Sequence, residues 1–400
     1  MLKVIPLNEA LERIRKQAGK AELSSRLVPL DSAAGRVLAK DASSGEDLPS
    51  FARSMVDGYA VLASDTFGVS TAQPSLLRLK GEVKMGEQAG FSLDPGECAA
   101  VWTGGELPQG ADAVVMTEET ETFPGGWIAV NSPGAPGNHV VFRGDDIALG
   151  EVAVSAGKKL APRDIGALAA IGCATALVYD APRVGVLSTG DELIDCGETP
   201  AGAQIRDCNA PMLTAACRSL GAETHFYGRV PDDEEALLGA MREGAASSDL
   251  LLLSGGSSAG AKDAAERCLS TLGETFFHGV AVKPGKPVLA GRIGRTLVIC
   301  LPGHPAAAYL MFHVLVRPAL AAMQGMELQD EKIPAKLHST LPSNHGREEL
   351  VPVRLENGAA VPITAKSGLV IPLARADGYI RIPRDTEGLM RGATVDVILF

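Results

Sequence analysis

Aromatic residues make up only 4% of this 400-residue chain, so a large core has to be built from Val, Leu, Ile and Ala. Clusters of Lys and Arg are missing and the formal net charge is -11, which excludes the basic surface that a phosphate backbone needs and leaves no nucleic acid as a partner. Cysteine is scarce and odd in number, with 7 residues and no C-x-x-C spacing. Neither a disulfide framework nor a zinc site is indicated, and reduced thiols are expected. None of the 7 His residues shows metal-ligand spacing, and no Ser-His-Asp or Cys-His set can be nominated. Met1 to Pro6 carry no apolar leader, and no run reaches the length of a membrane span. The expectation is a soluble, cytoplasmic chain with no membrane partner.

What is present divides along the chain. Leu7, Leu11 and Ile14 fall on one helical face within residues 5–18, with charges opposite. From Leu48 to Gly150 the texture is short strand-like pieces punctuated by Pro and Gly, as in Asp94-Pro95-Gly96 and Pro133-Gly134-Ala135-Pro136-Gly137, which reads as an inserted β module. Helical character returns over 162–172 and is expected to pack with the segment before the insertion. From Pro182 the pattern alternates strand and helix, with Val184-Gly185-Val186-Leu187 first and Asp249-Leu250-Leu251-Leu252-Leu253 the most apolar. Such alternation predicts a doubly wound parallel sheet with helices on both faces. After Gln324 the texture is again short strands.

Three Gly-containing turns each follow an apolar run: Ser188-Thr189-Gly190-Asp191-Glu192, Ser254-Gly255-Gly256-Ser257-Ser258-Ala259-Gly260 and Leu301-Pro302-Gly303-His304-Pro305. In a parallel sheet they share one edge, where backbone N–H groups of the turns and of the helices that follow face a crevice suited to anions. Asp191 and Glu192 are suited to a hard cation such as Mg²⁺, or else to a helix cap and solvent. The second turn lacks the Walker A order. Lys283-Pro284-Gly285-Lys286-Pro287 holds two ammonium groups close together, a repulsion of roughly 1 kcal/mol or less in water that grows in a cleft unless an anion lies between them. His304 reads as a helix-start residue. In the inserted module, Asp57-Gly58-Tyr59, Thr103-Gly104-Gly105 and Gly144-Asp145-Asp146 are either Asx-type turns or a second ligand-facing edge.

Taken together and in order, these stretches resemble the molybdopterin molybdenumtransferase family, which includes the E domain of gephyrin. The match rests on Pro49 to Ala60, Thr103-Gly104-Gly105 with Gly110 to Val115, Gly144-Asp145-Asp146, Leu187 to Leu193, Lys283 to Pro287, Leu301 to Pro305 and Ala376-Asp377-Gly378. The resemblance implies a multidomain α/β plus β chain: a central doubly wound parallel-sheet domain similar to molybdopterin adenylyltransferase, an inserted β-rich module and a C-terminal β-barrel-like module. The expected boundaries are 1–26 with 178–326 for the α/β molybdopterin-binding domain, 27–47 with 150–177 for a linking domain, 48–149 for the insertion and 327–400 for the C-terminal domain.

The activity implied is insertion of molybdate into adenylylated molybdopterin with release of AMP, Mg²⁺-dependent and carried out by a homodimer, with molybdopterin adenylyltransferase and molybdoenzyme-maturation proteins as further partners. By position, Glu192, Asp263, Asp57 and Asp146 would be catalytic, with Asp57, Glu192 and Asp263 on the metal. Substrate would be held by Thr103, Asp145, Ser188, Thr189, Gly190, Asp232, Gly255, Gly256, Lys283, Lys286, Pro302, Gly303, Arg347 and Ser367. Asp57, Thr103, Asp145 and Asp146 would arrive across the dimer interface. Departures from the family pattern gather at the ligand edge. Val140 stands where an Arg is usual, with Arg143 as a substitute, Ser257 to Ala259 alter the second turn, Gly279 replaces a basic residue, and His304 replaces an Asn. They leave open a pterin-binding or scaffold paralogue and a tungsten-preferring insertase.

Overall fold

The helix at the start, α1 (Leu7–Ala18), buries Leu7, Ala10, Ile14 and Ala18 and leaves its charged residues at the surface. In the computed structural model, which describes residues 4–19, 24–255, 259–326, 328–363 and 366–400 (backbone only for 259–263), this helix packs on the central domain. The second helix, α2 (Pro162–Ala170), starts at a proline that needs no partner for a missing N–H. Asp164 accepts from the Ala161 N–H at 2.8 Å and pairs with Lys158 at 2.6 Å. It covers a small layer in which Ser25–Pro29 pairs antiparallel with Thr175–Tyr179, around Leu38, Leu160, Leu168 and Val178. Chain from before and after the β insertion therefore shares one core.

The central sheet has six strands: β1 (Arg183–Thr189), β2 (Glu223–Val230), β3 (Leu250–Gly255), β4 (Glu274–His278), β5 (Leu289–Ile293) and β6 (Thr296–Leu301). Their order is β2-β1-β3-β6-β5-β4, and β2, β1, β3 and β6 are parallel. The sheet is not parallel throughout, because β5 joins β6 through a tight turn and pairs antiparallel with both β6 and β4. A two-residue connection permits only that direction. Alternation along the strands builds two cores. Val184, Val186, Leu250, Leu252 and Ile299 face α1, α3 (Asn209–Ser219) and the helical stretch from Pro305, whereas Leu187, Leu251, Leu253 and Val298 face α4 (Glu234–Ser247) and α5 (Ala259–Leu272). Each such side chain contributes roughly 1.5–3 kcal/mol when fully buried.

That last stretch comprises α6 (Pro305–Met311), a π-helical turn over Phe312–Val316, and α7 (Arg317–Ala322). Pro318, near the start of α7, cannot donate a helical hydrogen bond, and the backbone widens just before it. Contrary to the sequence reading, residues 305–322 are long and apolar enough to cross a membrane, yet 72% of that window is buried inside the protein. Small Ala residues let it serve as the core helix between α1 and the C-terminal module.

The inserted module is a six-stranded sheet, in order Ala113–Met116, Gly58–Val61, Glu97–Val101, Ser75–Val83, Trp127–Val130, Thr120–Phe123. Gly58 is required there, since a Cβ would lie 2.1 Å from the Val115 carbonyl oxygen. The C-terminal module is a closed five-stranded barrel of Glu348–Glu356, Ala359–Pro362, Lys332–Leu337, Thr394–Leu399 and Gly378–Ile382, the last returning to the first. Val282–Lys283 adds to it in parallel beside Glu348–Glu349. The lysine-bearing turn of the central domain is thereby stitched to the barrel.

Candidate functional site

The first two turns lie at the C-terminal ends of β1 and β3, but the chain after β1 does not enter a helix. It makes a short parallel ladder, Leu193–Ile194 with Ile205–Arg206, before α3 begins, so Asp191 caps no helix following its own turn. Instead Asp191 accepts from the Asp232 backbone N–H at 3.1 Å, which brings the β1 and β2 ends together. Gly190, at φ 146, has the Glu192 carboxylate folded over it, where a Cβ would meet Oε2 at 2.6 Å. Loss of surrounding water, then the charges of Asp191 and Glu192, hold the Asp232 carboxyl above the usual carboxylate range. The three acids are hard oxygen donors whose mutual repulsion a cation would lessen. Among the described residues no three His, Cys, Asp or Glu side chains converge as a ready metal site. The Asp263 side chain and Gly256 lie outside the described residues.

Ser188 is fully buried, and its Oγ has no hydrogen-bond partner among the described residues. Thr189 is buried and its carbonyl backs directly onto Gly255, whose φ of 132 and 2.1 Å Cβ-to-oxygen approach admit only glycine. Thr189, Gly255, His278 and Pro302 line a small pocket of about 30 Å³ at this edge. His278, behind it, pairs with Glu266 at 2.7 Å. Sequence reading missed Asn209, which is buried at the start of α3 and donates through Nδ2 to Ser254 Oγ at 2.7 Å and to the Gly303 carbonyl at 2.8 Å. One amide thus ties the second turn to the third, and Asp207 caps the helix that carries it by accepting the Asn209 and Ala210 N–H groups. Asp207-Cys208-Asn209 ahead of an apolar helix is the only signal of it.

The third turn and the lysine turn enclose a cleft of about 440 Å³ against the barrel, lined by Lys283, Lys286, Pro302, Gly303, His304, Arg347 and Ser367 among others. Gly285 lets the lysine turn press on α6, since a Cβ there would lie 2.5 Å from Met311 Sδ. The two lysines are not equivalent. Lys283 pairs with Glu349 of the barrel at 2.8 Å, so part of its charge is met within the protein. Glu349 is further held by Ser343 at 3.0 Å. The side chains of Lys286 and Arg347 have no hydrogen-bond or ion-pair partner among the described residues, leaving two uncompensated cations on one cleft. His304 does stand at the start of α6, and its Nδ1 also lies 2.9 Å from Ser367 Oγ. The Ser367 carbonyl accepts from Ala306 N–H at 3.1 Å, which fixes that loop on the helix. An adjoining apolar cavity of about 560 Å³ runs between the central domain and the barrel past Leu310, Leu350, Val351 and Leu373.

The inserted module brings Asp57 and Thr103 together. Asp57 Oδ1 accepts from the Thr103 N–H at 2.8 Å and from its hydroxyl at 2.7 Å. The backbone bond, then the hydroxyl, hold the Asp57 carboxyl below its usual range. Asp145 accepts from the Phe142 N–H at 2.6 Å and so secures its own turn, while Asp146 beside it is exposed. None of these four residues lines the cleft of this chain. Arg143 pairs with Asp47 at 2.8 Å and is occupied there, and Val140 is buried in a ladder with Ser54. Gly279 sits at φ 106 where the chain from Ile5 pairs beside Val280, a backbone state that favours glycine over a basic residue.

Comparison with known proteins covers nearly the whole chain. Residues 5–172 match the MoeA N-terminal region (domain I and II), 185–322 match a family described as "Probable molybdopterin binding domain", and 334–400 match the MoeA C-terminal region (domain IV). Molybdopterin molybdenumtransferase 2 of Mycobacterium tuberculosis is 33% identical over 92% of this chain and 94% of its own. Molybdopterin molybdenumtransferase of Nostoc is 32% identical over 83% of this chain and 77% of its own. Among solved structures, a molybdopterin biosynthesis MoeA protein from Pyrococcus horikoshii superposes with a TM-score of 0.88 at 33% identity, covering 100% of both chains.

Proposed function

The chain belongs to the MoeA family of molybdopterin molybdenumtransferases, and from that premise we propose that the cleft between lysine turn and barrel is where a tetrahedral oxyanion meets the pterin substrate. The protein is a transferase of molybdenum cofactor biosynthesis, with molybdopterin and molybdate as substrates. The observation that carries the placement is the pair of uncompensated cations, Lys286 and Arg347, facing a cleft shared with Lys283, His304 and Ser367. A dianion there would gain charge-assisted hydrogen bonds from groups the fold has already oriented, so little reorganisation is needed.

The finer reading is that adenylylated molybdopterin is the form used and that AMP leaves. Cleaving its phosphoanhydride places charge on the bridging and leaving oxygens. Lys286 and Arg347 can offset part of it by position alone, and Asn209 keeps the turns on either side of the phosphate path in register. Mg²⁺, when bound, would supply further charge compensation; Glu192 would hold it together with Asp263 and Asp57 of the family pattern, since the Asp191, Glu192 and Asp232 carboxylates do not by themselves converge as a metal site. Asp57 and Thr103 lie outside the cleft of their own chain, with exposed Met55 and Trp102 flanking them, which supports a homodimer in which each insertion completes the partner's site.

The test is single-turnover AMP release from adenylylated molybdopterin with Mg²⁺, titrating molybdate and tungstate separately, on the native protein and on Arg347→Ala. Oxyanion-dependent release whose half-saturating oxyanion concentration rises at least about tenfold in the variant fits the reading, since one charge-assisted contact is worth roughly 1.5–3 kcal/mol. Release independent of either oxyanion, or tight pterin binding without release, overturns it. Whichever oxyanion supports release identifies the metal.

A further inference from the structure

His304 is the one imidazole among the described residues that line the oxyanion cleft, and its contact with Ser367 gives it a use that a helix-start residue does not need. Both residues line the cleft, and Nδ1 and Oγ are 2.9 Å apart. An imidazole Nδ1 can accept a hydrogen bond when neutral and can only donate when protonated. A serine hydroxyl has a single proton to give. When the neutral ring carries its proton on Nε2, that hydroxyl is spent on Nδ1. When the ring is protonated, Nδ1–H donates to Oγ and the hydroxyl proton is free to turn toward the cleft.

We propose that His304 couples oxyanion binding in the cleft to protonation: one proton on its ring adds a positive charge to the cleft and at the same time releases the Ser367 hydroxyl to donate to the bound oxyanion. Oxyanion binding is then coupled to proton uptake. The cations lining the same cleft are Lys283 and Lys286 of the lysine turn and Arg347 at the barrel edge, with Lys366 on the Ser367 loop lining the adjoining cavity. Glu349 is the nearby acid, and it is engaged by Lys283 and Ser343; α6, on which the ring sits, carries no charged residue of its own. A dianion in the cleft favours the protonated ring by direct attraction, which is the condition for linkage. An Asn at this position would offer a hydrogen bond with no dependence on pH.

This inference rests on the cleft being the oxyanion site, and the experiment separates the two. Sulfate and molybdate, both dianions across the range used, are titrated calorimetrically into the native protein, His304→Asn and Ser367→Ala. Titrations run at roughly pH 6 and roughly pH 8.5, on either side of the ordinary imidazole value, and in two buffers of different ionisation enthalpy so that protons taken up are counted. The native protein is expected to bind several-fold more weakly at the higher pH and to take up a measurable fraction of one proton on binding at the lower pH. His304→Asn should show neither effect, and Ser367→Ala should bind the oxyanion more weakly at the lower pH, for want of the hydroxyl, while still taking up a fraction of a proton. The same pH dependence in His304→Asn, or none in the native protein, overturns the role of His304. No oxyanion binding at either pH overturns the cleft assignment itself.

Discussion

His313 gives a quantitative handle on the core that supports the cleft. It lies in the π turn between α6 and α7, 7% exposed, its Nδ1 has no partner among the described residues, and its ring is edge-on to Tyr309 at 4.7 Å and to Phe400 at 4.9 Å, with Tyr379 at 6.5 Å. Burial, helped by Arg317 and partly opposed by Asp330, pushes its ring down to about 4. An unfolded histidine titrates near 6.5, so between those values the unfolded chain binds the proton and the folded one does not. The folded value is depressed. The stability tied to a neutral His313 is therefore complete above about pH 6.5 and is lost as pH falls through about 4. The loss is about 1.4 kcal/mol per pH unit in that window, about 2 kcal/mol at pH 5 and about 3 kcal/mol at pH 4. His313→Phe keeps an aromatic ring and removes the titration. Both tryptophans, Trp102 and Trp127, sit in the inserted module, so tryptophan fluorescence would miss the event. Hydrogen exchange of peptides spanning 305–322, measured from pH 7 to pH 5 and corrected for intrinsic rates, reads it directly. The native protein should lose protection relative to His313→Phe by the amounts above, and an equal pH slope in the two proteins would refute the linkage.

Two further outcomes are expected. Glu192→Gln should lower the rate of AMP release more than substrate affinity, because its carboxylate stands with Asp191 and Asp232 at the β1–β2 end; equal losses in kcat and in binding would count against a chemical role. Gly255→Ala should force β3 from Thr189, destabilising the sheet edge by roughly 1–3 kcal/mol and abolishing turnover, as read by urea unfolding and the release assay; an unchanged midpoint would show that the edge relaxes freely.

Apolar periodicity reports which face of an element is buried, and it was sufficient for the central sheet. Leu250 to Leu253 are buried as a continuous run requires, and all three turns lie at strand ends. Direction of pairing is a property of connection length and long-range contact, so the reversal of β5 and the ladder 193–194 with 205–206 were not legible. Partners distant in sequence were hidden for the same reason. Glu349 meets Lys283, Ser367 meets His304 and Gly303 meets Asn209 only because the barrel and the third turn fold back on the sheet. The lysine turn was read as a pair of cations awaiting an anion, whereas Glu349 already answers one of them.

The two-residue ladder between Val282–Lys283 and Glu348–Glu349 makes the lysine turn a mechanical part of the barrel as well as of the central domain. Backbone hydrogen bonds and the Lys283–Glu349 pair cross the same seam, so Lys283, Arg347 and Ser367 share one frame. Ser367 also meets the Pro302–His304 turn through His304 and the Ala306 N–H, and that turn is anchored from the opposite side by Asn209, so the two walls of the cleft are joined to each other. A chain shortened before residue 334 would lose Arg347 and Ser367 outright and would leave the lysine turn without the strand that holds it.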